Sequence, residues 1–137
     1  YDENSVNYVA ARELEGTYSC LDYYHTVDDA FSQKLVADYN KMFPNTKYLF
    51  TAGSASTGMY RGIKLYEQAV IKTNGNLDRE AVSAAMDSAS ITNGPGGAAR
   101  MVPGTGHAAM NMYVAQSKGG KWNIISKADM VAPDECG

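Results

Sequence analysis

His107 is the first residue to weigh for chemistry, because an imidazole can pass a proton near neutral pH. It follows Pro103-Gly104-Thr105-Gly106, with hydroxyl residues close by. A hydrolase would add a Gly-x-Ser-x-Gly elbow and an acid in a recognisable triad position, and the sequence has neither. His107 therefore reads as a turn residue whose ring bonds the backbone. Gly94-Pro95-Gly96-Gly97 shares only its glycines with a phosphate loop. The Gly-Lys-Ser/Thr ending is missing, and a strand follows where a phosphate site needs a helix start. For metal, Cys20 and Cys136 stand far apart with no CxxC spacing, and His25 and His107 are not paired at ligand spacing. No catalysis, metal or cofactor is expected.

Binding is better served. Gly53 to Tyr60 places hydroxyls and free backbone N–H groups at the start of a helix, which suits a carboxylate or a carbonyl oxygen. Simple capping by Ser56 or Thr57 explains the same residues, and both can hold at once. The ten tyrosines suit a binding cleft and a half-exposed sheet face equally, so they do not decide between the two. Cys20 and Cys136 are either free thiols or, in an oxidising compartment, a disulfide joining the tail to an early strand. Closing so long a loop would stabilise the fold by about 4 kcal/mol if unstrained.

The elements that must position these residues follow from period and punctuation. Glu15 to Tyr24, rich in β-branched and aromatic residues, predicts a strand. Asp28 predicts an N-cap for a helix carrying Phe31, Leu35, Val36, Tyr39 and Met42, stopped by Pro44. Tyr48-Leu49-Phe50 is a short extended run. Met59, Ile63, Tyr66, Ala69 and Val70 predict a second helix, ended by Asn74-Gly75. Asp78 caps a third, with Leu77 and Val82 placed as a hydrophobic staple. Asn93 to Gly97 is a loop, Ala99 to Val102 a short strand, and Pro103 to Gly106 a turn. Met110–Gln116 and Trp122–Ser126 then form a hairpin around Gly119-Gly120.

With 137 residues the chain can bury one core, and 45% hydrophobic with 20% charged residues is a globular composition. A net charge of −3 with scattered basic residues argues against nucleic acid and against a basic membrane patch. No apolar stretch approaches a bilayer span, and the first residues lack the features of a signal peptide, which an exported protein would already have lost. The strands, however, are too few to make the sheet that these helices should cover. The sequence reads as a piece of a larger α/β protein.

Several strings point to one family. Tyr60-Arg61-Gly62-Ile63-Lys64-Leu65-Tyr66-Glu67-Gln68-Ala69-Val70 resembles the YxGxxLxxQAV helix of the substrate-binding proteins of ABC transporters, in the branched-chain amino acid, amide and urea group. Asn74-Gly75, then Leu77 to Val82, is similar to the continuation of that helix. Gly94 to Gly97, Met101 to Gly104, His107 and Met110 to Ala115 resemble the stretch near the family's C-terminus, and Leu14-Glu15-Gly16-Thr17 an earlier strand. The strings occur in the family's order over almost the whole chain.

The resemblance implies the C-terminal part of a two-lobed type I periplasmic binding fold. It places residues 1–24 and 94–137 in the C-terminal lobe and 25–93 in the N-terminal lobe. Cys20 and Cys136 then share a lobe, which favours their disulfide. The implied function is capture of a small polar solute (branched-chain amino acid, amide or urea) by hinge closure, followed by delivery to a membrane permease. The protein would be periplasmic, or extracellular and lipid-anchored. Tyr23, Tyr24, Ser56, Thr57 and Tyr60 are the implied ligand contacts. The family's main gripping loops lie in the missing N-terminal part, so this portion should bind weakly alone. Pro103-Gly104 with His107, and Met110 to Tyr113, lean towards the amide and urea branch. A ligand-sensing regulatory protein on the same fold is the alternative.

Overall fold

The computed structural model describes residues 1–7, 9–51 and 54–134. A 3₁₀ turn, Glu3–Asn7, and a short helix α1, Ala11–Leu14, lead into strand β1, Tyr18–Leu21. Helix α2 spans Ala30–Met42, and a π-helical turn, Ser54–Gly58, runs directly into α3, Met59–Lys72. Helix α4, Arg79–Met86, precedes β2 (Ser90–Ile91), β3 (Ala99–Val102), β4 (His107–Lys118) and β5 (Lys121–Val131).

The five strands make one sheet whose pairs are all antiparallel. Its spine is β4. On one edge β5 pairs with it from Lys118 back to Met110, with two register irregularities. On the other edge β3 takes its first half, His107 to Met110, and β1 takes Tyr113 to Gln116. The expected hairpin is present and longer than its apolar pattern suggested. Lys118 pairs with Lys121 across Gly119 and Gly120, both at positive φ (61° and 74°), as a two-residue turn requires. Alternation along β4 buries Ala109, Asn111, Tyr113, Ala115 and Ser117 on one face.

Each helix starts and stops where its residues allow. The Asp29 carboxylate, one residue beyond the expected Asp28, accepts from the Ser32 N–H at 2.8 Å, and α2 ends two residues ahead of Pro44. Asn74 and Gly75 close α3 in left-handed backbone, the Gly75 N–H donating to Val70 O at 2.9 Å. Asp78 caps α4 through the Ala81 N–H. The staple expected at Leu77 does not form: Leu77 is 67% exposed, while Val82 turns inward onto Ala69 and Ala85. Tyr48–Phe50 is not a strand, β1 is shorter than its run of β-formers, and the two-residue β2 lacked any pattern to reveal it.

Two packed regions matter for the site. Leu65 of α3 seals Ala89, Ile91 and Ala99 at the β2–β3 end of the sheet. At the other end Tyr23, Tyr24 and Val27, just past β1, pack with Tyr113, Ala115 and Trp122.

Candidate functional site

The second region borders a cavity of about 310 Å³ lined by Glu3, His25, Thr26, Leu49, Gly120, Lys121 and Trp122. Its parts come from distant segments that polar contacts hold together. Trp122 enters the core as the second residue of β5 and donates its Nε1–H to Asp2 O at 2.8 Å, fixing the N-terminal turn that carries Glu3. Asn4 exchanges two hydrogen bonds with the Leu49 backbone, at 3.0 and 3.1 Å, drawing the loop after α2 onto the same turn. Tyr23 and Tyr24 form the packed wall behind, with Phe50 edge-on to Tyr23 at 5.6 Å.

Glu3 is the unusual residue there. It is 6% exposed, and its Oε1 accepts the His25 backbone N–H. Its Oε2 finds no hydrogen-bond partner among the described residues, and neither do His25 Nδ1 and the Tyr23 hydroxyl. Burial pushes the Glu3 carboxyl up from the ordinary 4.5 to about 7; the His25 and Glu3 backbone N–H groups pull it down, and Asp2 adds to the rise. The neighbouring phenols respond in kind. Burial raises Tyr23, with Glu3 and Asp29 adding, and burial takes Tyr24 to about 12. A buried carboxyl with one empty acceptor, beside a cavity and aromatic walls, suits a small solute that carries N–H donors. Among the described residues no group of three or more His, Cys, Asp or Glu is placed to hold a metal ion.

The five expected ligand contacts fall in three places. Tyr23 and Tyr24 lie beside the Glu3 cavity but are wholly buried. Ser56 and Thr57 are not the free caps of a helix start, because the π-helical turn carries the backbone into α3 without a side-chain cap. The Ser56 hydroxyl donates to Thr51 O, and Thr57 Oγ1 donates to Asp22 Oδ2 at 2.7 Å. Tyr60 meets Phe31 edge-on at 6.1 Å in an open cleft of about 520 Å³ with Lys64, Gln68 and Asn93. Glu3 itself escaped the sequence reading, since nothing in a short, unpatterned stretch marks a carboxylate for burial. His107 opens β4, exposed, its N–H donating to Thr105 Oγ1 at 3.1 Å. Cys20 is an exposed free thiol, and its expected disulfide partner, Cys136, lies outside the described residues.

The glycine loop is a junction. The Gly96 N–H donates to the buried Ser32 hydroxyl at 3.0 Å, and Gly96 O accepts from Asn111 Nδ2 (2.9 Å) and the Tyr113 hydroxyl (2.7 Å). A Cβ on Gly96 would sit 2.4 Å from Asp22 O, so only glycine fits. Arg61, 3% exposed, is ion-paired with Asp22 and donates through Nη2 to Pro95 O at 2.6 Å.

The family model for periplasmic binding proteins matches residues 1–121, and the chain belongs to that family. Its fold is part of a two-lobed type I periplasmic binding protein. The chain is similar to a solute-binding protein of an ABC transporter from Rhodopseudomonas palustris BisB5, solved with 3,4-dihydroxybenzoic acid: 25% identity, TM-score 0.77, 96% of this chain and 35% of that one. A benzoate complex from R. palustris gives 23% identity and TM-score 0.74, over 95% of this chain and 34% of that one. A leucine-binding protein from Thermotoga maritima gives 16% and 0.70, over 93% and 34%. The chain thus spans about a third of the length of these structures. No curated protein matches. No helix among the described residues is long and apolar enough to cross a membrane.

Proposed function

We propose that the intact protein captures a small polar solute in the periplasm and passes it unchanged to the membrane permease of an ABC importer. Family membership supports the class of activity. The observation that supports the solute class is Glu3, a buried residue in the lining of a cavity shared with Trp122 and Leu49, whose second carboxyl oxygen has no hydrogen-bond partner among the described residues. A ligand with N–H donors, such as an amide, urea or the ammonium of an amino acid, supplies what this oxygen lacks. A benzoate, as held by an R. palustris protein, would fit beside this oxygen only with Glu3 kept protonated, since two carboxylates in contact repel. In this arrangement residues 1–24 and 94–137 contribute to one lobe and 25–93 to the other, and the remaining two-thirds of the protein closes over the solute.

Calorimetry on the full-length protein with acetamide, urea, L-leucine and benzoate tests the assignment. Binding of at least one N–H donor, weakened tenfold or more by Glu3→Gln, is the expected result. Benzoate bound equally well by the wild type and by Glu3→Gln, with no N–H donor bound, would overturn the solute class. Chemical turnover of any of the four would overturn capture itself.

A further inference from the structure

Arg61 is a costly residue to bury, and the route of its contacts shows what it does. Its guanidinium bridges two segments: the end of β1, through the Asp22 carboxylate and Asp22 O (3.3 Å), and the glycine loop, through Pro95 O. Thr57 Oγ1, from the turn before α3, takes the same Asp22 carboxylate oxygen. Asp22 is followed directly by Tyr23, Tyr24 and His25, the wall and one lining residue of the Glu3 cavity. On the loop side, Pro95 is followed by Gly96, whose carbonyl holds the Tyr113 hydroxyl, and Tyr113 packs in the cluster with Tyr23, Tyr24 and Trp122.

A buried ion pair is seldom retained for stability, since apolar residues of similar volume do as well or better. What a guanidinium offers is direction, because its donors leave a rigid plane at fixed angles. Here the fork admits only one placement of Asp22 relative to Pro95. We propose that Arg61 is a positioning residue for the solute pocket: by locking Asp22 to the glycine loop it sets where Tyr23, Tyr24 and His25 stand around Glu3. The proposal rests on reading the Glu3 cavity as the solute site.

The test reads the pocket without needing its ligand. Trp122 lines the cavity with Glu3, so its emission should follow ionisation of that carboxyl. The groups near Glu3 are Asp2, Tyr23, Tyr24, His25 and Lys121, with Asp29 acting on Tyr23. In the full-length protein the Trp122 signal is defined as the emission lost in Trp122→Phe. The wild type should show a midpoint near neutral pH, and Glu3→Gln should abolish it. Arg61→Met should move the midpoint down by more than about one pH unit as the displaced wall lets water reach Glu3. Arg61→Lys, which keeps the charge but not the fork, should fall between. Asp22→Asn, the gentler cut, should shift it in the same direction and serves if Arg61→Met does not fold. General loss of stability moves the melting temperature but leaves this midpoint in place. An unmoved midpoint in Arg61→Lys and Asp22→Asn, with Glu3→Gln still abolishing the titration, would overturn the positioning role and leave the pocket standing. A titration that survives Glu3→Gln would instead overturn the pocket, and the proposal with it.

Discussion

Two regions of this molecule bury polar groups, and they treat them in opposite ways. Around Gly96, Asp22 is met by Arg61 and Thr57, the loop carbonyls by Arg61, Asn111 and Tyr113, and the Gly96 N–H by Ser32. Around Glu3, its own Oε2, His25 Nδ1 and the hydroxyls of Tyr23 and Tyr24 are left without a hydrogen-bond partner among the described residues. Buried polar groups are almost always satisfied, because an orphan costs roughly 1–3 kcal/mol. The first region spends its polar groups on holding one geometry, with Arg61 Nε the one atom of its guanidinium that lacks a partner among the described residues. The second tolerates a deficit, and a deficit beside a cavity is what a ligand can make good. Both regions contain tyrosines from the same core cluster, so composition alone could not have told them apart.

The sharpest way to break the comparison is at the junction. Gly96→Ala sets a Cβ against the backbone oxygen of Asp22 at a φ of 75°, and no side-chain rotation relieves a backbone collision. Overpacking together with the left-handed penalty should cost about 4 kcal/mol. Gly104→Ala, also at a φ of 75° but with nothing within 4 Å of the added Cβ, should cost only about 1 kcal/mol. Urea denaturation of both variants checks this. Equal losses would mean that the loop is not the tight junction described.

The Glu3 side is tested by pH. The folded state holds this proton up to about pH 7, whereas the unfolded chain releases it near 4.5. Between those values the native state binds more protons, so stability falls as pH rises through the window and levels above it. The deficit at pH 8 is at most about 3 kcal/mol. Glu3→Gln should flatten that slope and melt higher than the wild type at pH 8 but not at pH 4. Parallel melting profiles for the two proteins from pH 4 to 8 would show that Glu3 is not held as described.

Local signals carried much of this fold. Asp78, the Asn74-Gly75 stop, Pro44 and Gly119-Gly120 act through their own backbone geometry, and each did what its type requires. The staple at Leu77 failed because a local pattern does not say whether a neighbour will be there to pack on. The site was less legible for the same reason. Glu3 becomes special only when Trp122 and Leu49 arrive from 46 or more residues away, and Arg61 only when Asp22 and Pro95 converge on it. Ser56 and Thr57 looked like caps because sequence shows a run of hydroxyls, not the π-helical turn that absorbs them. The implied lobe crossing singled out Tyr23 and Tyr24, yet a place along the chain cannot distinguish a phenol that is bonded from one that is not.

That distinction gives the smallest and most direct test. Tyr113 and Tyr23 are buried tyrosines in one cluster, 5% and 0% exposed, so removing either hydroxyl changes packing equally little. Tyr113→Phe deletes the 2.7 Å bond to Gly96 O, though Asn111 still satisfies that carbonyl. The loss should therefore be only that of one hydrogen bond, about 1 kcal/mol. Tyr23→Phe removes a hydroxyl that has no partner among the described residues, and with it a desolvation penalty. Its stability should be unchanged or up to about 1 kcal/mol higher. The order reverses for solute binding, where Tyr113→Phe should leave affinity for an N–H donor probe nearly intact and Tyr23→Phe should weaken it severalfold. Chemical denaturation and calorimetry on the same two full-length variants check both halves. If Tyr23→Phe costs as much stability as Tyr113→Phe, its hydroxyl is bonded after all, and the contrast between a satisfied junction and an unsatisfied pocket fails at its most exposed point.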